Sequence, residues 1–163
     1  MTDAWRVPVD EAYVAFVGRA TYVFAYYEWG IIYIIEQLTP GFLIEYARGG
    51  KPMTSGTVLK RLKSGVDSHA SDVGGVTVED LRALQNEFGA LISRRNALIH
   101  AHPPTDEDGS QILIHQKSNP IALPDMKWPM DTVRQLITDF DAAAVRASPV
   151  LHKLIEARES GLA

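Results

Sequence analysis

At 163 residues, with 46% hydrophobic and 22% charged side chains, the chain has the size and balance of one soluble domain around a single core. Its formal charge of −4 argues against a non-specific nucleic-acid coat, though a small local cationic patch remains compatible with it. It has no cysteine, which excludes disulfides, thiolate metal sites and cysteine nucleophiles.

The start, Met1 to Trp5, lacks the basic-then-apolar layout of a secretory signal. The most hydrophobic stretch, Ala12 to Leu38, is interrupted by Arg19, Glu28 and Glu36, so no membrane span is expected and the cytoplasm is the default compartment. Helical spacing of Tyr13, Phe16, Val17, Ala20, Phe24, Tyr27, Ile31, Ile35 and Leu38 predicts a first long helix. Asp10 is placed to cap it and Pro40-Gly41 to stop it. From Tyr22 to Ile35 this helix is apolar on nearly every side, the pattern of a helix buried on more than one face, for which self-association is one route.

Short helical pieces follow, at Phe42 to Arg48 before Gly49-Gly50 and at Ser55 to Ser64 before Gly65. Lys51, Lys60, Arg61 and Lys63 make this stretch locally basic, and Ser68 to Gly75 reads as loop. Thr77 and Asp80 then have capping-box spacing, with Val76 and Leu81 placed as a hydrophobic staple. The helix they start carries Leu81, Leu84, Phe88, Leu91, Leu98 and Ile99 on one face and runs to about His100, with Pro103 as its stop. An acidic turn at Asp106 to Gly109 precedes two possible short strands, Gln111 to Gln116 and Ile121 to Leu123, which predict a small hairpin. A last helix is expected from about Asp131 to Glu159, kinked at Pro149. The fold class is therefore all-α: an antiparallel helical bundle of three long helices and short helical pieces, decorated by one hairpin.

One residue breaks this pattern. Arg95 lies on the apolar seam of the third long helix, flanked by Leu91, Ile92, Leu98 and Ile99. A guanidinium there must be paired or must line a cleft, because leaving it buried alone costs several kcal/mol. Glu28 stands in similar surroundings on the first helix, so a Glu28–Arg95 pair is expected, within the bundle or across subunits; the plain reading is a structural ion pair. Arg94 points elsewhere and is expected in solvent. Ser93, Asn96 and His100 form a narrow polar strip beside the seam. Arg95 and His100 are about 140° apart around an ideal helix, so they reach one phosphate only if the arginine wraps round or two copies meet.

These residue types suit cleavage of RNA by its own 2′-hydroxyl. Imidazole titrates near neutrality and can take and give protons. A guanidinium fork binds phosphate through two parallel hydrogen bonds. His100, in the final turn, occupies the negative end of the helix dipole, a position that suits a positive charge. Asn96, one turn earlier, is placed to hold the ring or bind a phosphate oxygen. No metal or other cofactor is required, and neither Cys nor HExxH spacing points to a zinc site.

The run from Arg95 to His100, with polar Asn96 after the arginine at the end of a Pro-terminated helix, resembles the signature of the HEPN superfamily: arginine, four to six residues with a polar one often first, then histidine, inside a helical bundle. The resemblance covers this six-residue motif and a compatible helix plan over one domain, 1–163. It implies a metal-independent ribonuclease acting as a homodimer whose two motifs meet in an interface cleft. Many such proteins are toxins or phage-defence components, which brings in a cognate inhibitor protein; others are non-catalytic. Arg146 and His152 repeat the spacing, but they straddle Pro149 and lack the polar residue, so they are set aside. His102 reads as a helix cap or a second proton carrier, His69 and His115 as surface residues, and Lys60, Arg61 and Lys63 as contacts to the RNA backbone. The competing readings are a non-catalytic helical module that binds a nucleotide or a protein partner, and a small antitoxin-like or scaffold protein whose buried ion pair only fixes dimer register.

Overall fold

The computed structural model describes residues 10–50, 52–69, 72–105, 107–116 and 126–161. Its elements are α1 (Glu11–Leu38), α2 (Phe42–Arg48), α3 (Ser55–Ser68), α4 (Val78–Ile99), β1 (Leu113–His115), β2 (Met126–Trp128) and α5 (Met130–Glu159). The all-α bundle with a small hairpin is thus the fold.

Local chemistry sets the helix ends as expected. Asp10 accepts the amide of Tyr13 at 2.9 Å and starts α1. Thr77 and Asp80 exchange both capping-box bonds at the start of α4, at 3.0 and 3.1 Å, and the staple pair Val76 and Leu81 is buried. The C-terminal end of α1 is tied by Glu36, whose carboxylate accepts the amides of Gly41 and Leu43 and so caps α2 as well.

Gly65 departs from expectation. It does not end α3, which runs to Ser68; a β-carbon at Gly65 would sit 3.2 Å from Leu38 Cβ, so the glycine serves close packing of α3 against the end of α1. The loop that follows contains a tight two-residue turn in which Val73 and Val76 exchange backbone hydrogen bonds around Gly74 and Gly75, both at positive φ. Pro149 lies inside α5 without ending it.

α1 packs most closely on α5 and also on α3, while α4 packs on α3 and α5. The four helices therefore ring the core in the order α1, α5, α4, α3, with α1 and α4 facing across it through large side chains. Phe88 of α4 stacks on Phe24 at 6.3 Å and meets Tyr27 edge-on at 5.6 Å, and Phe140 of α5 closes the cluster 5.1 Å from Phe24. Tyr13 near the start of α1 bonds the Trp128 carbonyl just before α5, and Arg158 near the end of α5 bonds the Glu36 carbonyl. α1 and α5 hence run the same way, and α4 runs against both.

The hairpin pairs Leu113 with Trp128, Ile114 with Lys127 and His115 with Met126. Its second strand is thus Met126–Trp128, where Trp128 is buried; the segment Ile121 to Leu123, named above as that strand, lies outside the described residues. No helix among the described residues is long and apolar enough to cross a membrane.

Candidate active site

The last turn of α4 is held by the small sheet. Beyond Ile99 the chain turns, and His102 exchanges two 2.8 Å backbone hydrogen bonds with Ile114. β1 pairs β2, and the Trp128 carbonyl at the end of β2 accepts the Tyr13 hydroxyl at 2.6 Å. The end of α4 is in this way fastened to the beginnings of α1 and α5.

Arg95 points inward, as its place on the seam requires. Its guanidinium carbon lies 5.4 Å from the centre of the Phe24 ring, a cation–π contact at the edge of the core. Nη1 donates to Asn96 Oδ1 at 2.9 Å, and the buried Nε has no partner. The residue as a whole is half-buried, so the guanidinium is neither sealed in nor free in solvent.

The expected Glu28–Arg95 pair is absent within the subunit. Glu28 Oε1 is buried without a hydrogen-bond partner, and its charge is felt instead at Tyr46 of α2. Burial first, and then that carboxylate, push the Tyr46 hydroxyl above its ordinary pKa. Arg95 lies on Phe24, while Glu28 stands one turn further along α1, near enough to Tyr46 for its charge to act there. Arg94 also departs from its reading: it is not solvated but pairs with Asp139 of α5 at 2.5 Å. That partner is 45 residues away in sequence, which no local pattern reveals.

The polar strip is realised unevenly. His100 caps α4, its amide donating to the Asn96 carbonyl at 3.0 Å, and its side chain is exposed. Asn96 has committed its acceptor to Arg95, so it steers the arginine rather than the imidazole. The Ser93 hydroxyl donates back to the Gly89 carbonyl, 3.2 Å away. Exposed Ile99 stands beside Arg95 at the open end of the bundle, not in the core as its face suggested. Of the other histidines, His102 is exposed, His69 bonds the Gly65 carbonyl at the end of α3, and His115 is a half-buried strand residue with an unpartnered Nδ1 rather than a surface loop residue.

The basic stretch does not join this site. Arg61 is taken by Glu45 of α2; Lys60 and Lys63 are exposed on α3. α3 lies alongside the middle of α4, with Leu59 packed at Gly89. That level is about 16 Å from His100 along the helix axis, from a rise of 1.5 Å per residue. Among the described residues no group of three or more metal-ligating side chains is gathered.

A second feature was read from sequence only as apolarity all round α1. Its outward face carries Tyr22, Tyr26, Trp29 and Tyr33, all exposed. Their spacing of four, three and four residues puts them on one stripe, and that spacing was the available signal.

No family model matches the chain, and neither a curated protein nor a solved structure similar to it was found.

Proposed function

We propose that this chain is an endoribonuclease that works without a metal, with Arg95 holding the scissile phosphate, Asn96 steering Arg95, and His100 moving protons. One observation carries the reading. Arg61, Arg94, Arg134, Arg146 and Arg158 each have a carboxylate partner and Arg19, Arg48 and Arg82 are exposed, whereas Arg95, half-buried and aimed at the core, has no carboxylate partner among the described residues. A half-buried cation without an anion is a site prepared for one that arrives.

In this reading the 2′-hydroxyl attacks phosphorus, the bond to the 5′-oxygen breaks, and a 2′,3′-cyclic phosphate forms. One neutral imidazole takes the 2′ proton and one imidazolium gives a proton to the departing oxygen. A single His100 cannot do both in one step, and it stands well round the helix from Arg95. A homodimer whose α4 ends meet supplies both imidazoles and brings Arg95 of one copy to His100 of the other. The likeness of Arg95 to His100 to the HEPN motif supports this arrangement, and with it a toxin or defence role under a protein inhibitor.

Incubation of the purified chain with single-stranded RNA in EDTA tests it. The expected result is cleavage with cyclic phosphate ends, reduced at least 100-fold in His100→Ala, in line with typical acid–base contributions. Mixing wild-type with His100→Ala chains should lower activity by more than simple dilution if the site is shared, because each mixed dimer has lost one of its two imidazoles. Intact RNA throughout, with nucleotide bound but not cut, favours the non-catalytic phosphate-binding module, a reading that the exposed His100 ring also supports.

A further inference from the structure

We propose that the outward face of α1, with the groove it shares with α5, is a self-association surface occupied by the same face of a second copy of this chain. This inference stands apart from the nuclease reading. Tyr22, Tyr26, Trp29 and Tyr33 keep 74%, 69%, 46% and 44% of their surface exposed. At roughly 200 Å² for a whole aromatic side chain, those fractions leave about 450 Å² of ring surface in water. Val145 of α5, 66% exposed, follows Ala144 of the neighbouring groove in sequence. A standard interface uses about 800 Å² per partner, so the rings alone fill more than half of one side.

The surface carries both halves of a self-complementary contact. Beside the stripe runs a groove of about 190 Å³, lined by Tyr26, Gly30, Tyr33, Ala144, Ser148 and Leu151 among others. It is smaller than ordinary ligand pockets, yet larger than the cavity of about 150 Å³ that admits a benzene ring. Gly30 has nothing within 4 Å of where its β-carbon would be, which keeps the floor open. A ring and a ring-sized groove on one patch are what a twofold, isologous interface requires. The Tyr26 ring of each copy is the one we assign to the other's groove.

Charge separates this occupant from others. From Tyr22 to Tyr33 the outward stripe has no lysine or arginine, so a nucleic-acid strand stacked there would lack cations for its phosphates. A lipid surface likewise favours a basic rim on the polar side. A neutral face does not repel its own copy. The contact also has a geometric consequence: α4 lies across the core from α1. With neighbouring helices 8–10 Å apart, pairing through α1 leaves the two α4 axes roughly 35 Å apart. It is therefore distinct from any contact that joins the α4 ends, and both together would build a tetramer.

Sedimentation equilibrium of the full chain, with circular dichroism as the folding control, tests the proposal. Wild type is expected to dimerise at micromolar concentration. Tyr26→Glu and Val145→Arg should each weaken the dimer at least tenfold while Thr77→Ala leaves it unchanged. Because the chain has no cysteine, Trp29→Cys near the middle of the stripe should form a disulfide-linked dimer on mild oxidation, whether or not the α4 ends also meet. A monomer at 100 µM overturns the proposal, as does a dimer indifferent to both substitutions. Loss of binding to RNA or to lipid vesicles in Tyr26→Glu, with wild type monomeric, overturns it in favour of that ligand.

Discussion

Replacing Arg95 by methionine separates a cation kept for a ligand from one that holds the fold. The stack on Phe24 is worth about 0.5–2 kcal/mol. The 2.9 Å hydrogen bond to Asn96 adds about 1.5 kcal/mol. Against these, the buried, unpartnered Nε costs about 1–3 kcal/mol. The contributions nearly cancel, and a methionine can pack its thioether on the same ring. Arg95→Met should therefore shift stability by less than about 1 kcal/mol in either direction, whereas breaking a buried ion pair would cost about 3–5 kcal/mol. In urea titration, with a slope of roughly 2 kcal/mol per molar, the first outcome moves the midpoint by under about 0.5 M and the second lowers it by about 1.5 M or more. RNA cleavage should disappear in the same variant. A midpoint lowered by 1.5 M would show that Arg95 is a structural residue and refute the reasoning.

Thr77→Ala removes the side-chain half of the capping box and should cost about 1 kcal/mol by urea titration, with no change in oligomeric state. Gly74 has φ +58° and its β-carbon would lie 2.4 Å from that of Ala157, so Gly74→Ala should cost about 2–4 kcal/mol; exposed Gly18 in α1 has open space, and Gly18→Ala should stabilise by about 0.5–1 kcal/mol. Burial works against ionisation of Glu36, but the amides of Leu43 and Gly41 and the Arg158 guanidinium prevail and hold its pKa below the usual carboxylate range. Its contribution is therefore fully present above that range and lost as pH falls through the lowered value. Urea midpoints of wild type and Glu36→Gln should differ at pH 6 and converge toward pH 2, and a gap that persists in acid would contradict this.

What was legible in the sequence was chiefly local. The Asp10 cap, the Thr77–Asp80 box and the inward stripes of the three long helices follow from neighbours within four residues, and all three appear in the structure. What failed depended on distant partners. Gly65 reads as a stop because glycine usually is one, yet its place is decided by Leu38 across the bundle. Arg94 reads as solvated until Asp139 folds against it. The shared direction of α1 and α5 rests on contacts such as Arg158 to Glu36, more than 100 residues apart. At the candidate site, the inward aim of Arg95 was legible from the seam, but the commitment of Asn96 to it and the nearness of Glu28 to Tyr46 were not.

Three departures from good local chemistry bear on the site and the aromatic face. Arg95 sits where a leucine would serve the core, Glu28 keeps a buried oxygen without a donor, and α1 spends its outermost face on four aromatic rings. Each is costly for an isolated subunit, and consistency between local choice and global fold is the general rule for foldable sequences. Two of the three lie on α1: the rings face outward, and Glu28 keeps its oxygen buried. Phe24, on the inward side of the same helix, carries the guanidinium. α1 is thus the element through which anything docked on the aromatic face reaches Arg95. A partner that immobilises α1 from outside also fixes Phe24 beneath the guanidinium, so association and anion binding should strengthen each other by the same factor. If Tyr26→Glu abolishes the dimer but leaves phosphate affinity unchanged, the two faces of this helix act independently.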